Sequence, residues 1–187
     1  MVTIRHERPA DAVAREALLD LSFGACRFAK TSQRLREGRR PAECLSLVAT
    51  DRGRVIGTVR LWHVAIKERA ALLLGPLAVH PDWRNCGAGA ALMQDVLAQA
   101  QHRGHGAVLL VGDAPYYERF GFSAENTRQV RLPGPYERDR LLARELRRDA
   151  MRGAQGMVIA IGLPVAPFSR RVLTPAAASA IPLPRAA

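Results

Sequence analysis

Arg84, Gly87 and Gly89 stand in close order inside VHPDWRNCGAGAALM, residues 79–93, directly after an apolar run and directly before a helical pattern. Glycines at such a place can be a plain strand-to-helix turn. They can equally leave the backbone N–H groups of residues 85–90 open at a helix start, where the helix dipole makes an anion site suited to a phosphate. The missing Cβ permits close approach and left-handed dihedrals, and Arg84 adds a cation. Cys86 reads as a small spacer in this loop, not as a nucleophile. A dinucleotide-binding loop would need a third glycine and an acid after the next strand, and neither is correctly placed. A second chemical feature lies just upstream in AALLLGPLAV, residues 70–79. Pro76 lacks an N–H and Gly75 weakens a strand, so a buried strand carrying both predicts a bulge. Beyond it, Leu77, Ala78 and Val79 are left with backbone groups that need a partner, which a ligand can supply.

The elements that must position these residues follow from periodicity. Residues 2–7 alternate as a strand. A helix is expected from residue 8, with Pro9 in its first turn, Val13, Ala17, Leu18 and Leu21 at helical spacing, and Gly24 closing it. A shorter helical piece is expected over 31–37. Two strands, 44–51 and 54–66, flank Arg52-Gly53, a hairpin signal, and the apolar run 70–79 predicts a central strand. After the glycines, Met93, Val96, Leu97 and Ala100 form an apolar stripe, and Arg103-Gly104 ends the helix. Residues 107–112 predict a short buried strand, 114–121 one or two helical turns, then extended chain from Phe122. Residues 137–151 have helical periodicity taken alone, and 155–162 predict a last strand. From residue 163 the chain is rich in Pro and Ala and carries no acid. This organisation predicts one domain over 1–162 and a loosely docked tail over 163–187.

Composition limits the alternatives. At 187 residues and 48% hydrophobic content the chain can bury one substantial core. The formal charge of +11 comes almost wholly from arginine, because Lys30 and Lys67 are the only lysines. The charges are spread along the chain without interleaved aromatics, which favours a solvated surface over nucleic-acid binding. The two densest runs, 27–40 and 128–152, could each receive an anionic small molecule. Neither a signal-peptide core nor a bilayer-spanning segment is present. Cys26, Cys44 and Cys86 have no paired spacing, which argues against a disulfide framework and against a zinc knuckle. The expected compartment is the cytoplasm.

The loop residues Arg84, Gly87 and Gly89, followed by Tyr117, Gly121 and Phe122 in YYERFGF, resemble the GCN5-related N-acetyltransferase (GNAT) family over residues 2–162. The resemblance implies an α/β fold: an open, mixed, mostly antiparallel sheet of six to seven strands, helices on both faces, and a splay between the fourth and fifth strands. It also implies a strand near 140–146, against the local helical periodicity, supplying the sheet neighbour that the last strand needs. Acetyl-CoA is the implied co-substrate, with no metal. Its pyrophosphate would sit on the N–H groups of Asn85, Cys86, Gly87, Ala88, Gly89 and Ala90, beside Arg84. Its pantetheine arm would pair with Leu77, Ala78 and Val79 as an added strand, the Val79 N–H facing the thioester carbonyl. Asp113, at the end of the fifth strand, would bind the pantetheine or order a water.

Tyr117 is the implied general acid facing the sulfur. A phenol near pKa 10 gives its proton uphill to a thiolate near 8.5, so positioning the sulfur can be its larger role. The general base stays open among Asp113, His63, Glu68, His80 and water. The implied acceptor is a primary amine of a small molecule or peptide, and the arginines suit an anionic one. A non-catalytic acyl-CoA-binding sensor or pseudoenzyme is the alternative. Neither a nucleic acid nor a membrane is an expected partner, and the chain is expected to be a monomer or homodimer.

Overall fold

The computed structural model of the chain describes residues 1–165. Its first strand, β1 (Val2–His6), leads into α1 (Ala12–Phe23) and the single turn α2 (Thr31–Arg34). Strands β2 (Ser46–Asp51), β3 (Arg54–Ile66) and β4 (Arg69–Val79) form a meander. The long helix α3 (Ala88–His102) and strand β5 (Ala107–Val111) follow, then the short α4 (Ala114–Glu118). The chain continues through β6 (Val130–Arg131), β7 (Leu141–Glu145) and β8 (Gly156–Ala160). No helix among the described residues is long and apolar enough to cross a membrane.

The sheet runs β1-β2-β3-β4-β5-β7, with β8 paired to β3 and β6. All pairs are antiparallel except β4 with β5 and β6 with β8. The β2–β3 hairpin turns at Arg52 and Gly53, both at positive φ (47° and 82°), as a tight hairpin with right-handed twist requires. β7 forms where the resemblance placed it, overriding local helical periodicity. Its neighbour, however, is β5, while β8 pairs with β3 at Val64–Ile66 and with β6. The eighth strand, beyond the six or seven expected, is the two-residue β6, too short to show alternation. The extended run expected from Phe122 is confined to a lone bridge between Ser123 and Ala143, after which residues 125–127 make a tight helical turn.

Two faces of the sheet are covered. α3 buries Leu92, Met93, Val96, Leu97 and Ala100 against Leu47, Ala49, Ile56 and Leu72, each large side chain contributing about 1.5–3 kcal/mol of transfer free energy. A Cβ on Gly57 would lie 2.9 Å from Leu92 Cδ1. Gly57 opposes Val79 in the ladder, so this contact seats the start of α3 beside the end of β4. On the other face α1 packs Leu18 and Leu19 on Val48, Val55 and Ala78. The stripe expected for α1 is corrected: Val13, Ala17 and Leu21 are exposed, Leu18 alone of the four is buried, and Arg15 and Leu19 are buried beside it. Arg15 pairs with Glu7, which also receives Arg60, and a buried cation is tolerable only when so paired. At the described edge of the Pro/Ala-rich segment, Arg40 N–H donates to Leu163 at 2.7 Å and Val165 N–H to Gly38 at 2.8 Å. The remainder of the expected tail, residues 166–187, lies outside the described residues.

Candidate donor and acceptor site

The predicted bulge is present in β4. Val59 opposes Leu77 and Leu61 opposes Leu74, so Arg60 alone faces Gly75 and Pro76. Gly75 sits at φ 135°, a region that L side chains rarely adopt. Trp62, buried in β3, donates its indole N–H to the Gly75 carbonyl at 2.6 Å and holds the bend. β4 and β5 pair only at Leu72–Val108 and Leu73–Leu109, then separate. Beyond the bend, β4 still pairs with β3 on its other side. His80 N–H donates to Ile56 at 2.8 Å, and by antiparallel alternation the backbone groups of Ala78 share that direction. Those of Leu77 and Val79 therefore point into the splay, while Ala78 is spent on the sheet.

The loop continues the same line. A tight turn over Pro81–Trp83 carries the chain across the sheet end, and the Cys86 thiol donates to the Trp83 carbonyl at 2.8 Å. Asn85 (φ 65°) and Gly87 (φ 82°) are both left-handed. Gly87 is the N-cap of α3 with no side-chain cap, and the Ala91 N–H is the first to bond, to the Gly87 carbonyl at 2.9 Å. Among the described residues no protein acceptor meets the N–H groups of Asn85, Cys86, Gly87, Ala88, Gly89 or Ala90. Six consecutive donors at a helix start are an anion cup.

Two adjoining cavities share Val79, Arg84, Gly89 and Tyr116. One, of about 440 Å³, lies over the loop between Trp83 and Arg119. The other, of about 520 Å³, fills the splay and reaches α1 and α2. Gly89 sits where the walls converge: a Cβ there would lie 3.3 Å from the Tyr116 hydroxyl and 3.4 Å from Val79 Cγ2. Arg84 and Arg119 flank the loop cavity, and neither is ion-paired among the described residues. Arg119 stacks on the Tyr116 ring, 4.0 Å from its centroid.

Tyr117 lines the splay, and burial, reinforced by Tyr116 and Asp113 and opposed by Arg140, pushes its phenol up to about 12. It holds its proton throughout the neutral range. Its ring edge faces Phe122, 6.0 Å between centroids, and a Cβ on Gly112 would come within 2.8 Å of its Cδ2. Gly112 thus fixes where the ring lies.

The four candidate bases separate cleanly. Asp113, the N-cap of α4, lines the splay cavity. His63 opposes Leu72, where β4 and β5 are still paired, and its ring faces His105 at 5.6 Å. Burial, then the neighbouring His63, Arg103 and Arg147 charges, lower the His105 pKa. Glu68 is exposed at the β3–β4 turn, roughly 30 Å of extended strand from Leu77. His80 has both ring nitrogens engaged, Nδ1 by Asp82 N–H at 3.3 Å and Nε2 by Arg54 at 3.0 Å. His63 and Glu68 are therefore not brought into the site, because they lie toward the other end of β4, and His80, although next to Val79, lines neither cavity.

Sequence reasoning missed Gly112, Trp62, Arg119 and Arg36. Gly112 carried a signal, a glycine closing a buried strand, and so did Trp62, a buried indole whose N–H needs an acceptor. Arg36 and Arg119 carried none that sets them apart from their many arginine neighbours.

Comparison with known proteins places this geometry. The model of the acetyltransferase (GNAT) domain matches residues 42–124, which hold β3, β4, the loop, α3, β5 and α4. The uncharacterized N-acetyltransferase YhbS of Escherichia coli K12 is 35% identical over 158 residues, covering 83% of this chain and 93% of the relative. The crystal structure of Escherichia coli YhbS in complex with CoA superposes with a TM-score of 0.73 at 33% identity, over 85% of this chain and 89% of that one. A Brucella melitensis GNAT acetyltransferase in complex with acetyl-CoA gives 0.57 at 31% identity, over 66% and 83% of the two chains.

Proposed function

Because this chain belongs to the GNAT family of acetyltransferases, we propose that it moves an acetyl group from acetyl-CoA to the primary amine of a small molecule or peptide by direct attack on the thioester. The observation that carries the reading is two sets of open backbone groups at one end of the sheet, those of Leu77 and Val79 facing the splay and the six loop amides of residues 85–90. They match the shape of the proposed donor. The pyrophosphate takes the loop amides with Arg84 and Arg119 beside it, and the pantetheine arm extends β4 along Leu77 and Val79. CoA in YhbS and acetyl-CoA in the Brucella melitensis protein are the ligands of its similar relatives.

In the proposed reaction the amine lone pair forms a bond to the thioester carbonyl carbon, and the carbonyl electrons move to oxygen. The Val79 N–H stabilises that oxyanion. Collapse breaks the C–S bond, CoA leaves as thiolate and takes a proton, and the nitrogen loses one. Tyr117, fully protonated, stands at the sulfur as the proton donor and as the group that positions it. Asp113 is the carboxylate in the cavity and is assigned to the pantetheine or to a water that accepts the amine proton.

Release of free CoA, followed by thiol titration over a panel of small amines, amino acids and peptides, tests this. Turnover with any acceptor supports it; tight acetyl-CoA binding with silence on every acceptor supports the non-catalytic binding module instead. That second reading draws on one observation: Asp113, itself exposed, is the sole acidic residue lining the splay cavity among the described residues.

A further inference from the structure

The far end of the splay cavity is built differently from its donor wall. Arg36, directly after α2, is 8% exposed and lines the cavity. Its Nε donates to the Ser32 carbonyl at 3.1 Å and its Nη2 reaches Ser32 Oγ at 3.4 Å. Nη1 lies 3.4 Å from where a Gly75 Cβ would be and has no hydrogen-bond partner among the described residues. No carboxylate pairs with Arg36 among the described residues, and residues 163–187 contain no Asp or Glu that could. Burial, with the nearby Arg27 charge, pulls its pKa down to about 10, so it is still cationic at neutral pH.

A buried cation without an anion is costly, and Arg15, the other buried arginine of this region, is paired with Glu7. Two further groups share the exception. The Ser22 hydroxyl, which lines the same cavity, is buried without a hydrogen-bond partner among the described residues. Lys30, which lines it as well, rests over the Phe23 ring at 4.8 Å and meets no carboxylate among the described residues. Arg27 differs, being neutralised by Glu16 and Asp20.

We infer that Arg36, with the Ser22 hydroxyl and Lys30, is the recognition site for an oxyanion group on the acceptor, a carboxylate or a phosphoryl group carried by a small amine. This rests on the acetyltransfer reading above and specifies its substrate class. Arginine suits the role because its planar fork meets two oxygens of one group at once. The reach is also set. Gly75, where an added Cβ would lie 3.4 Å from Arg36 Nη1, is two and four residues from Leu77 and Val79, roughly 7–13 Å along the strand. The acceptor's anion therefore sits a short chain away from its amine, which excludes an amine on a bulky neutral body.

The test is steady-state turnover at saturating acetyl-CoA on matched pairs: amino acids of increasing chain length against their amides, and aminoalkyl phosphates against the corresponding amino alcohols. The anionic member is expected to show at least a tenfold higher kcat/KM, and the two series decide between carboxylate and phosphoryl. Arg36→Met should abolish that preference through KM for the acceptor while leaving KM for acetyl-CoA within about twofold, a split that a merely structural role would not produce. Gln33→Glu, which keeps Arg36 and places a competing carboxylate on the same wall, should weaken the anionic members in the same direction. Neutral amines used as well as anionic ones, or a preference that survives both substitutions, overturns the inference and leaves the acetyltransfer reading standing. If no amine turns over, calorimetry of the same pairs on CoA-loaded protein still decides: retention of the anionic members alone supports the Arg36 site and counts against catalysis, and equal or absent binding removes the site.

Discussion

In the proposed reaction the β4 wall and the α1–α2 wall of the splay cavity would recognise their ligands by different means. The donor end is made of backbone: Leu77, Val79 and the amides of residues 85–90 present N–H groups that any side chain would leave in place. The proposed acceptor end is made of side chains: Ser22 from α1, Lys30 directly before α2 and Arg36 directly after it. Backbone recognition needs only chain direction and a few glycines, so it tolerates change elsewhere. Side-chain recognition can be altered one residue at a time, which is how a common donor site can serve different acceptors.

The largest effect that can sharpen this contrast is expected at Gly89. Leucine there would drive into the Tyr116 hydroxyl and Val79 and fill the passage between the two cavities, with acetyl-CoA affinity falling about 100-fold or more, some 3 kcal/mol by calorimetry. Tyr117→Phe should lower kcat about 100-fold with KM for acetyl-CoA nearly unchanged. Gly112→Ala, which pushes on the Tyr117 ring without touching the donor amides, should cost kcat roughly tenfold at unaltered acetyl-CoA affinity. Gly87→Ala is expected to be smallest: nothing crowds a Cβ there, and the loss is the strain of φ 82°, about 1 kcal/mol. Should Gly87→Ala prove as damaging as Gly89→Leu, crowding is not what distinguishes the two glycines.

The pH profile separates the ends as well. Burial holds the Tyr117 phenol up to about 12, so it stays protonated at every lower pH. The rate should rise as the acceptor amine deprotonates and show no alkaline fall below about pH 10. A descending limb near pH 9 that vanishes in Tyr117→Phe would place the phenol's pKa far lower than its burial dictates.

The same division explains what was readable beforehand. Glycine and proline report backbone needs directly, so Gly75-Pro76, Gly87 and Gly89 marked the bulge, the splay and the cup without any tertiary knowledge. Apolar runs marked β3, β4 and β5, and the stripe of α3 was correct residue by residue. α1 misled because its buried face includes Arg15, whose partner Glu7 lies on the chain before the helix and is invisible to hydropathy. β8 was paired wrongly because β3 is long enough to hold β2 along one half of its edge and β8 along the other. Arg36 was unreadable for a related reason: what singles it out is burial without an ion pair among the described residues, a property of the fold and not of the residue.

The central claim is that the backbone groups of Leu77 and Val79 and the amides of Asn85 through Ala90 receive acetyl-CoA. Amide proton–nitrogen spectra recorded during an acetyl-CoA titration address it residue by residue. The account predicts saturable shifts at Leu77, Val79 and Asn85 through Ala90, with Ala78, whose N–H is held by β3, moving least. Binding that leaves those amides unmoved, or no binding at millimolar acetyl-CoA, would contradict it.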